Sequence, residues 1–320
     1  MFLKTDQPDI TDFHAAPWCL NGHFHTIGRS LLTNAGNPYH RRISIPTPDE
    51  DFLDLDIIKA PSSRPVVVLF HGLEGSSQRY YITELAAALT KREYSVVAVN
   101  FRGCSGRMNR QRRFYHSGET GDLSTVFGWV GERFPDVPIG AAGFSLGGNA
   151  LLKSLGELQN DHPVSAAVAV SVPYDLALGA QHISEGFNRV YEFNFIRTLK
   201  SKLEQKREKY PDLPEFEGST IYAFDDQVTA PLHGFNNADD YYTTCSSQHY
   251  VADICKPTLL IHSRQDPICH PDMIPLQKIV GNGYIDHAIT DEGGHVGFWS
   301  SPAGWLNSTI VNFFAKKFDV

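Results

Sequence analysis

Ser145 is the residue whose surroundings most plainly suggest chemistry. It sits in Ile139-Gly-Ala-Ala-Gly143-Phe144-Ser145-Leu146-Gly147-Gly148, a G-x-S-x-G pattern that falls between a predicted strand and a predicted helix. A serine in that setting stands on a sharp, strained corner, and glycines keep side chains from colliding there. The helix that follows points its first N–H groups at the same place and favours developing negative charge. A serine hydroxyl is a weak nucleophile at neutral pH and needs a general base. In this architecture the chain order is serine, then a carboxylate, then histidine. There are fourteen histidines, and position singles out His295, in Asp291-Glu-Gly-Gly-His295-Val-Gly-Phe298. It stands in a glycine-flanked loop between the last predicted strand and the final helix, so it is assigned as the base. Its competitors are His262 and His270.

A carboxylate must hold the imidazole in its working tautomer and stabilise the imidazolium. Asp266, in His262-Ser-Arg-Gln-Asp266-Pro-Ile, follows the next-to-last predicted strand and takes that role. Asp175 after the preceding strand is the alternative. Asp291 and Glu292 are expected to face solvent. Acyl transfer also needs N–H donors for an oxyanion. Leu146, just after the serine, offers one. Leu73, in Phe70-His71-Gly72-Leu73-Glu74-Gly75 after an early buried strand, is assigned the other. His71 is expected to buttress that loop.

The elements that must position these residues follow from the hydrophobic pattern. Residues 41–46 and 53–58 read as two strands around a turn. Leu53, Leu55 and Ile57 alternate with Asp54 and Asp56, as in a half-buried strand. The apolar run 65–70 reads as a strand buried on both faces, and 95–100, 139–143 and 165–171 read as further strands. Helices near 79–91, 120–133 and 147–158 alternate with them. A strand at 257–262, a helix near 271–280, a strand near 284–290 and a helix at 302–317 complete the series. The first 38 residues read as irregular, with Pro17, Gly22 and Gly28. The alternation predicts an α/β fold with a mostly parallel central sheet and helices on both faces. One domain spans 1–320. Within it, 173–250 breaks the alternation and reads as a helical cap inserted over the carboxyl edge, where open α/β sheets bind ligands. Its pieces include a helix at 195–209. Phe144, Phe298, Trp299, Tyr191, Phe193 and Phe195 are candidates for an acyl pocket or for core packing.

The chain has 320 residues, and Lys plus Arg number 28 against 36 Asp plus Glu, a formal net charge of −8. That balance disfavours nucleic acid, whose binding draws on many contacts from Lys and Arg to phosphate. The short basic run at 107–113 reads as a solvated loop or structural salt-bridge segment, with an anionic substrate or lipid surface as the alternative. Arg102 is expected to order local loops, with Asp122 as its partner. Five cysteines, an odd number with no C-x-x-C, fit a reducing compartment. The opening MFLKTDQPDITDF has acids where a signal peptide has an apolar core. No window approaches 18 apolar residues, so no membrane span is expected. A cytoplasmic protein is the expectation, with peripheral lipid contact open. Neither a cofactor nor a metal is expected: no nucleotide-binding glycine loop occurs, and His23 and His25 lack partners at ligand spacing. Cys104 and Cys269 do not occupy the serine's corner and are not assigned as nucleophiles.

With these residues in place, the chain resembles the YheT-like branch of the α/β-hydrolase superfamily, related to animal abhydrolase-domain lipid hydrolases and plant EMB8-type proteins. The stretches that carry the resemblance are Pro17–Thr26, His71–Ser76, Asn100–Gly106, Tyr115–Leu123, Gly143–Asn149 and Gly293–Phe298. The resemblance implies a Ser–Asp–His hydrolase with Ser145, Asp266 and His295 at the matching positions. It also implies small ester substrates with short or medium acyl chains, or monoacylglycerol-like lipids. An acyltransferase or thioesterase would use the same residues. A binding module without catalysis would be expected to have lost one of them.

Overall fold

A computed structural model describes residues 12–33, 36–61 and 63–318. Among the described residues, eight strands form one sheet: β1 (Arg41–Pro46), β2 (Phe52–Ile58), β3 (Val66–Phe70), β4 (Ser95–Asn100), β5 (Ile139–Phe144), β6 (Ala166–Val170), β7 (Thr258–Ser263) and β8 (Ile285–Thr290). The helices are α1 (Gly22–Leu32), α2 (Tyr80–Thr90), α3 (Thr120–Arg133), α4 (Leu146–Leu158), α5 (Leu176–Ile183), α6 (Arg189–Lys209), α7 (Ile221–Phe224), α8 (Ala230–His233), α9 (Ala238–Cys245), α10 (Leu276–Gly281) and α11 (Trp305–Phe318). Across the sheet the order is β1-β2-β4-β3-β5-β6-β7-β8. β1 and β2 form an antiparallel hairpin, and β2 pairs antiparallel with β4. From β4 onward every neighbouring pair is parallel.

The continuous apolar strands are buried because helices close both faces. Leu85 and Leu89 of α2 and Ile310 and Phe314 of α11 pack with Val67, Leu69 and Val168 on one side. Leu123 and Val126 of α3 and Leu151 and Leu155 of α4 pack with Val66, Val68 and Ala167 on the other. Each fully buried aliphatic side chain of this kind contributes about 1.5–3 kcal/mol. Among the described residues no helix is long and apolar enough to cross a membrane.

Three features depart from the sequence reading. The stretch before residue 38 is not irregular throughout: α1 occupies Gly22–Leu32, capped by Asn21, whose side chain accepts the Phe24 N–H. Of the expected irregular stretch, residues 1–11 and 34–35 lie outside the described residues. Gly22 and Gly28 look like helix breakers but are packing positions. A side chain at Gly22 would collide with the Gln265 carbonyl, and one at Gly28 would meet the Trp299 ring. Asp54 and Asp56 on β2 are not on a solvated face. Asp54 is buried against Arg107 and Ser44, and Asp56 against Arg42, Ser77 and Asn100. Arginines from the loop after β4 and from β1 close that face and replace water around the carboxylates. The helix expected at 271–280 is divided into a 3-10 turn at Pro271–Met273 and α10. Pro275 lacks an N–H and pushes Ile274 into an extended conformation (ψ 116).

The basic segment behaves as expected. Arg107 pairs with Asp54, Arg112 with Asp212, and Arg113 with Asp49 and Glu119. Arg102 is wholly buried and bonds Asp122, Asp49 and Asp51. Between β6 and β7 the chain leaves the sheet. It forms α5, a long α6 that starts six residues before the expected helix, and α7, which runs through a π-helical turn (Asp225–Thr229) into α8, followed by α9.

Candidate active site

Ser145 is the single residue between β5 and α4. Its backbone has φ 52 and ψ −121, a left-handed conformation that costs a residue with a side chain on the order of 1–3 kcal/mol. The surroundings hold it there. Its N–H donates to Val170 O of β6 at 2.8 Å, and its carbonyl accepts Asn149 N–H at 3.0 Å. The corner is so tight that a Cβ on Gly143 would lie 2.5 Å from the Gly147 carbonyl. This explains the glycine spacing around the serine.

The loop after β3 lies against this corner. A Cβ on Gly72 would be 3.0 Å from Ser145 Cβ. Gly72 N–H donates to Tyr81 Oη at 3.1 Å, and Gly75 N–H donates to Gly72 O at 3.0 Å. His71 Nε2 accepts Phe101 N–H at 3.2 Å. Its proton therefore sits on Nδ1, which donates to Gly72 O at 2.7 Å. Burial lowers the His71 pKa to about 3, so it stays neutral as a buttress. The N–H groups of Leu73 and Leu146 have no hydrogen-bond partner among the described residues. Both residues line one cavity with Ser145. Unpaired amides beside a nucleophile can receive an oxyanion.

Asp266 and His295 meet. His295 Nδ1 lies 3.0 Å from Asp266 Oδ2 and 3.2 Å from Oδ1. Asp266 Oδ1 also accepts the N–H groups of Ile268 and Cys269, each at 2.9 Å. Burial pushes the Asp266 pKa up. The charge and hydrogen bond of His295, the charge of His262 and the Cys269 N–H outweigh it, so the net direction is down. An ionised carboxylate at Nδ1 keeps the proton there and leaves Nε2 free to accept one.

The loop of His295 is fixed from two sides. Its own N–H donates to Thr26 Oγ1 of α1 at 2.8 Å. The next N–H, of Val296, donates to Ser171 Oγ at 3.1 Å. Ser171 follows Val170, the residue that accepts the Ser145 N–H. The serine corner and the histidine loop therefore hang on consecutive residues at the end of β6. Among the described residues no hydrogen bond joins Ser145 Oγ to His295 Nε2. Such bonds are often long without substrate and tighten when it binds.

The competing assignments are occupied elsewhere. Asp175 caps α5 through the Leu178 N–H and accepts from Gln248. His262 is a buried strand residue that donates Nε2–H to Cys269 O at 2.9 Å. His270 pairs with Asp272, and Asp291 with Arg264.

The cavity beside Ser145 has about 130 Å³ of water-accessible volume and is mainly apolar, with Leu176, Ile183, Leu199, Phe224, Val228 and Ile268 in its wall. Of the six aromatic pocket candidates only Phe195 lines it. Phe144 and Phe298 belong to the core. Trp299 packs on Trp18, Tyr191 bonds His23, and Phe193 is 70% exposed on the far side of α6. Sequence reasoning passed over Glu74, Tyr115 and Lys202, which form a bonded cluster beside Leu73. It also passed over His116 and His233, whose rings lie 4.4 Å apart in the cavity wall. Tyr115 and His116 fall in a stretch that carries the resemblance, a usable signal. Nothing in the pattern of α6 marks Lys202.

Among the described residues, two groups bring donor atoms close enough to suggest a cation: His116, Glu119 and His233, and Asp266, Cys269 and His295. In the first, His116 Nδ1 accepts Gly118 N–H, so the proton sits on Nε2, and Glu119 is taken by Arg113 and the Asp122 N–H. In the second, burial pushes the Cys269 thiol well up, and the carboxylate and imidazole already bond each other. Neither group fits a metal. All five cysteines are free.

A profile described as alpha/beta hydrolase fold matches residues 65–302. The chain is 40% identical over 289 residues to a protein of Escherichia coli named as an esterase, YheT, covering 86% of this chain and 84% of that one. It is 31% identical over 281 residues to the medium-chain fatty acid ethyl ester synthase/esterase 2 of Saccharomyces cerevisiae, covering 79% of this chain and 62% of that one. Among solved structures, the Pyrococcus furiosus esterase Pf2001 superposes with a TM-score of 0.60 at 18% identity, over 96% of this chain and 99% of that one. That last likeness speaks to fold alone.

Proposed function

Because the chain belongs to the α/β-hydrolase family, we propose that it hydrolyses carboxylic esters through an acyl-enzyme on Ser145. His295 Nε2 takes the hydroxyl proton as Ser145 Oγ attacks the ester carbonyl. The N–H groups of Leu73 and Leu146 receive the oxyanion. His295 then gives the proton to the leaving alkoxide, and Asp266 stabilises the imidazolium while it is charged. Water repeats the sequence and frees the acid. The observation that carries the reading is the bond from His295 Nδ1 to a buried Asp266, with the His295 loop hung on the end of β6 that also holds Ser145.

The residues 173–250 act as a helical cap of a single domain, 1–320, and their inner side forms the acyl site. Its volume of about 130 Å³ is close to that of a cavity that takes up a benzene ring, about 150 Å³. This favours short or medium acyl chains; monoacylglycerol-like lipids are the alternative that the resemblance implies. A second reading is acyl transfer to an alcohol or cleavage of a thioester on the same residues. The synthase half of the yeast relative's name favours the former.

The test is turnover of p-nitrophenyl esters from two to sixteen carbons and of monoacylglycerols, with ethanol as competing acceptor. Ser145→Ala is expected to lower kcat by more than about a thousandfold. A variant that keeps the wild-type rate refutes the assignment. Ethyl ester as the main product would move the reading to transfer.

A further inference from the structure

Glu74 directly follows Leu73, and its carboxylate is placed where ester chemistry would suffer from it. Its backbone has φ 53, left-handed for a residue with a side chain. Its N–H donates to Tyr115 Oη at 2.7 Å, and Tyr115 Oη donates back to Glu74 Oε1 at 2.9 Å. The Glu74 side chain is only 5% exposed, and both residues line the cavity that contains Ser145. A negative charge so close to the oxyanion donor opposes the negative charge that forms on the substrate. Like unit charges about 8 Å apart at an effective dielectric of about 20 repel enough to slow a reaction about 30-fold.

The answering charge comes from the cap. Lys202 Nζ, on α6, bonds Glu74 Oε1 at 2.8 Å and lies 3.2 Å from Cys104 Sγ. It stands 5.7 Å from the centre of the Tyr115 ring. Burial lowers its pKa, and Cys104 and Glu74 outweigh that, so the amine is held above the usual lysine value. Burial pushes the Cys104 thiol up, which leaves Glu74 as the anion that Lys202 answers. Tyr115 stacks on Phe101 at 5.2 Å, and Phe101 N–H bonds His71, the buttress of the same loop. One connected network thus runs from α6 through Glu74 to the turn that carries Leu73.

We propose that Lys202 is a positioning residue supplied by the cap: it cancels the Glu74 charge beside the oxyanion site and latches α6 to the loop that carries Leu73. The cap then does more than shape a pocket. With α6 lifted, Glu74 loses its lysine partner and its charge stands uncancelled beside the donor, so the site works best with the cap docked. This inference rests on the ester-hydrolase reading.

The test uses the full chain with p-nitrophenyl butyrate. Lys202→Met should lower kcat by about 30-fold or more while KM moves by less than about threefold. Lys202→Arg should keep most of the activity. The decisive variant is the double one, Glu74→Gln with Lys202→Met, which removes both charges and should run at least about tenfold faster than Lys202→Met. A lysine that merely packs the cap gives no such rescue. Wild-type kcat in Lys202→Met, or a double variant no faster than the single one, overturns the proposal. If Lys202→Met does not fold, the double variant has no lone charge to bury and must stay within about tenfold of wild type; a larger loss overturns the proposal. Failure of the ester reading shows earlier, in wild-type turnover no greater than that of Ser145→Ala, and takes this proposal with it.

Discussion

The strand ends and the helices between β6 and β7 build opposite halves of the cavity in different ways. At the strand ends, position is fixed by the backbone. Ser145 follows β5, Asp266 follows β7 and His295 follows β8, and parallel pairing brings those ends to one edge. Each is then held by short bonds to its neighbours, such as Ser145 N–H to Val170 O and Val296 N–H to Ser171 Oγ. The helical half has no such frame. Its wall is set by side chains from α5, α6, α7, the π-helical turn, α8 and α9. It meets the sheet half through particular long-range contacts, such as Lys202 with Glu74 and Tyr241 Oη with Ser117 N–H. On the proposed function, chemistry falls to the strand ends and selectivity to the helices. Substitutions in the first should therefore change rate for every substrate, and those in the second should sort substrates by size.

The sharpest way to break this contrast is to exchange the two carboxylates that the chain order left open. Asp266→Asn should cost about a thousandfold or more in kcat, because an amide no longer fixes the His295 proton on Nδ1. Asp175→Asn should leave kcat within about threefold, because Asp175 caps α5 and accepts from Gln248 away from His295, and asparagine caps as well. Steady-state kinetics on the two variants checks this, and equal losses would erase the distinction. A smaller effect is expected across the cavity. Leu199→Trp narrows the wall at a half-buried position of α6. It should lower kcat/KM for a twelve-carbon ester by about tenfold and leave a two-carbon ester nearly unchanged. Uniform loss across chain lengths would place Leu199 in the machinery of reaction instead.

The last effect is on stability. Burial raises the Asp225 pKa to about 6 against opposing bonds from Thr229 and Tyr242. The folded state therefore binds this proton more tightly than the unfolded chain does. The stability tied to Asp225 is present at pH 4 and is lost as pH rises to about 6, on the order of 3 kcal/mol. Asp225→Asn should flatten that part of the curve of unfolding free energy against pH. An unchanged slope between pH 4 and 6 would contradict the assignment.

What the sequence disclosed follows the same division. Residues placed by strand ends were readable, because alternation of strands and helices fixes where each strand stops and glycines mark the tight corner at Ser145. Residues placed by packing were not. Lys202 lies on a helix whose polar pattern looks like any solvated face, and only the fold turns it toward Glu74. Phe144 and Phe195 are both aromatic residues near the site, yet one lies in the core and the other in the cavity wall. α1 escaped notice because Gly22 and Gly28 lower helix propensity. Those glycines answer close approach to Gln265 and Trp299, and α1 supplies the Thr26 acceptor that steadies the His295 loop.

The claim at the centre is that Ser145 is the activated nucleophile. Treating the folded chain with a fluorophosphonate and mapping the adduct by peptide mass spectrometry tests it directly. The expected result is one stoichiometric adduct on Ser145, greatly slowed in His295→Ala. Labelling at another residue, or labelling of Ser145 at the same rate without His295, would contradict it.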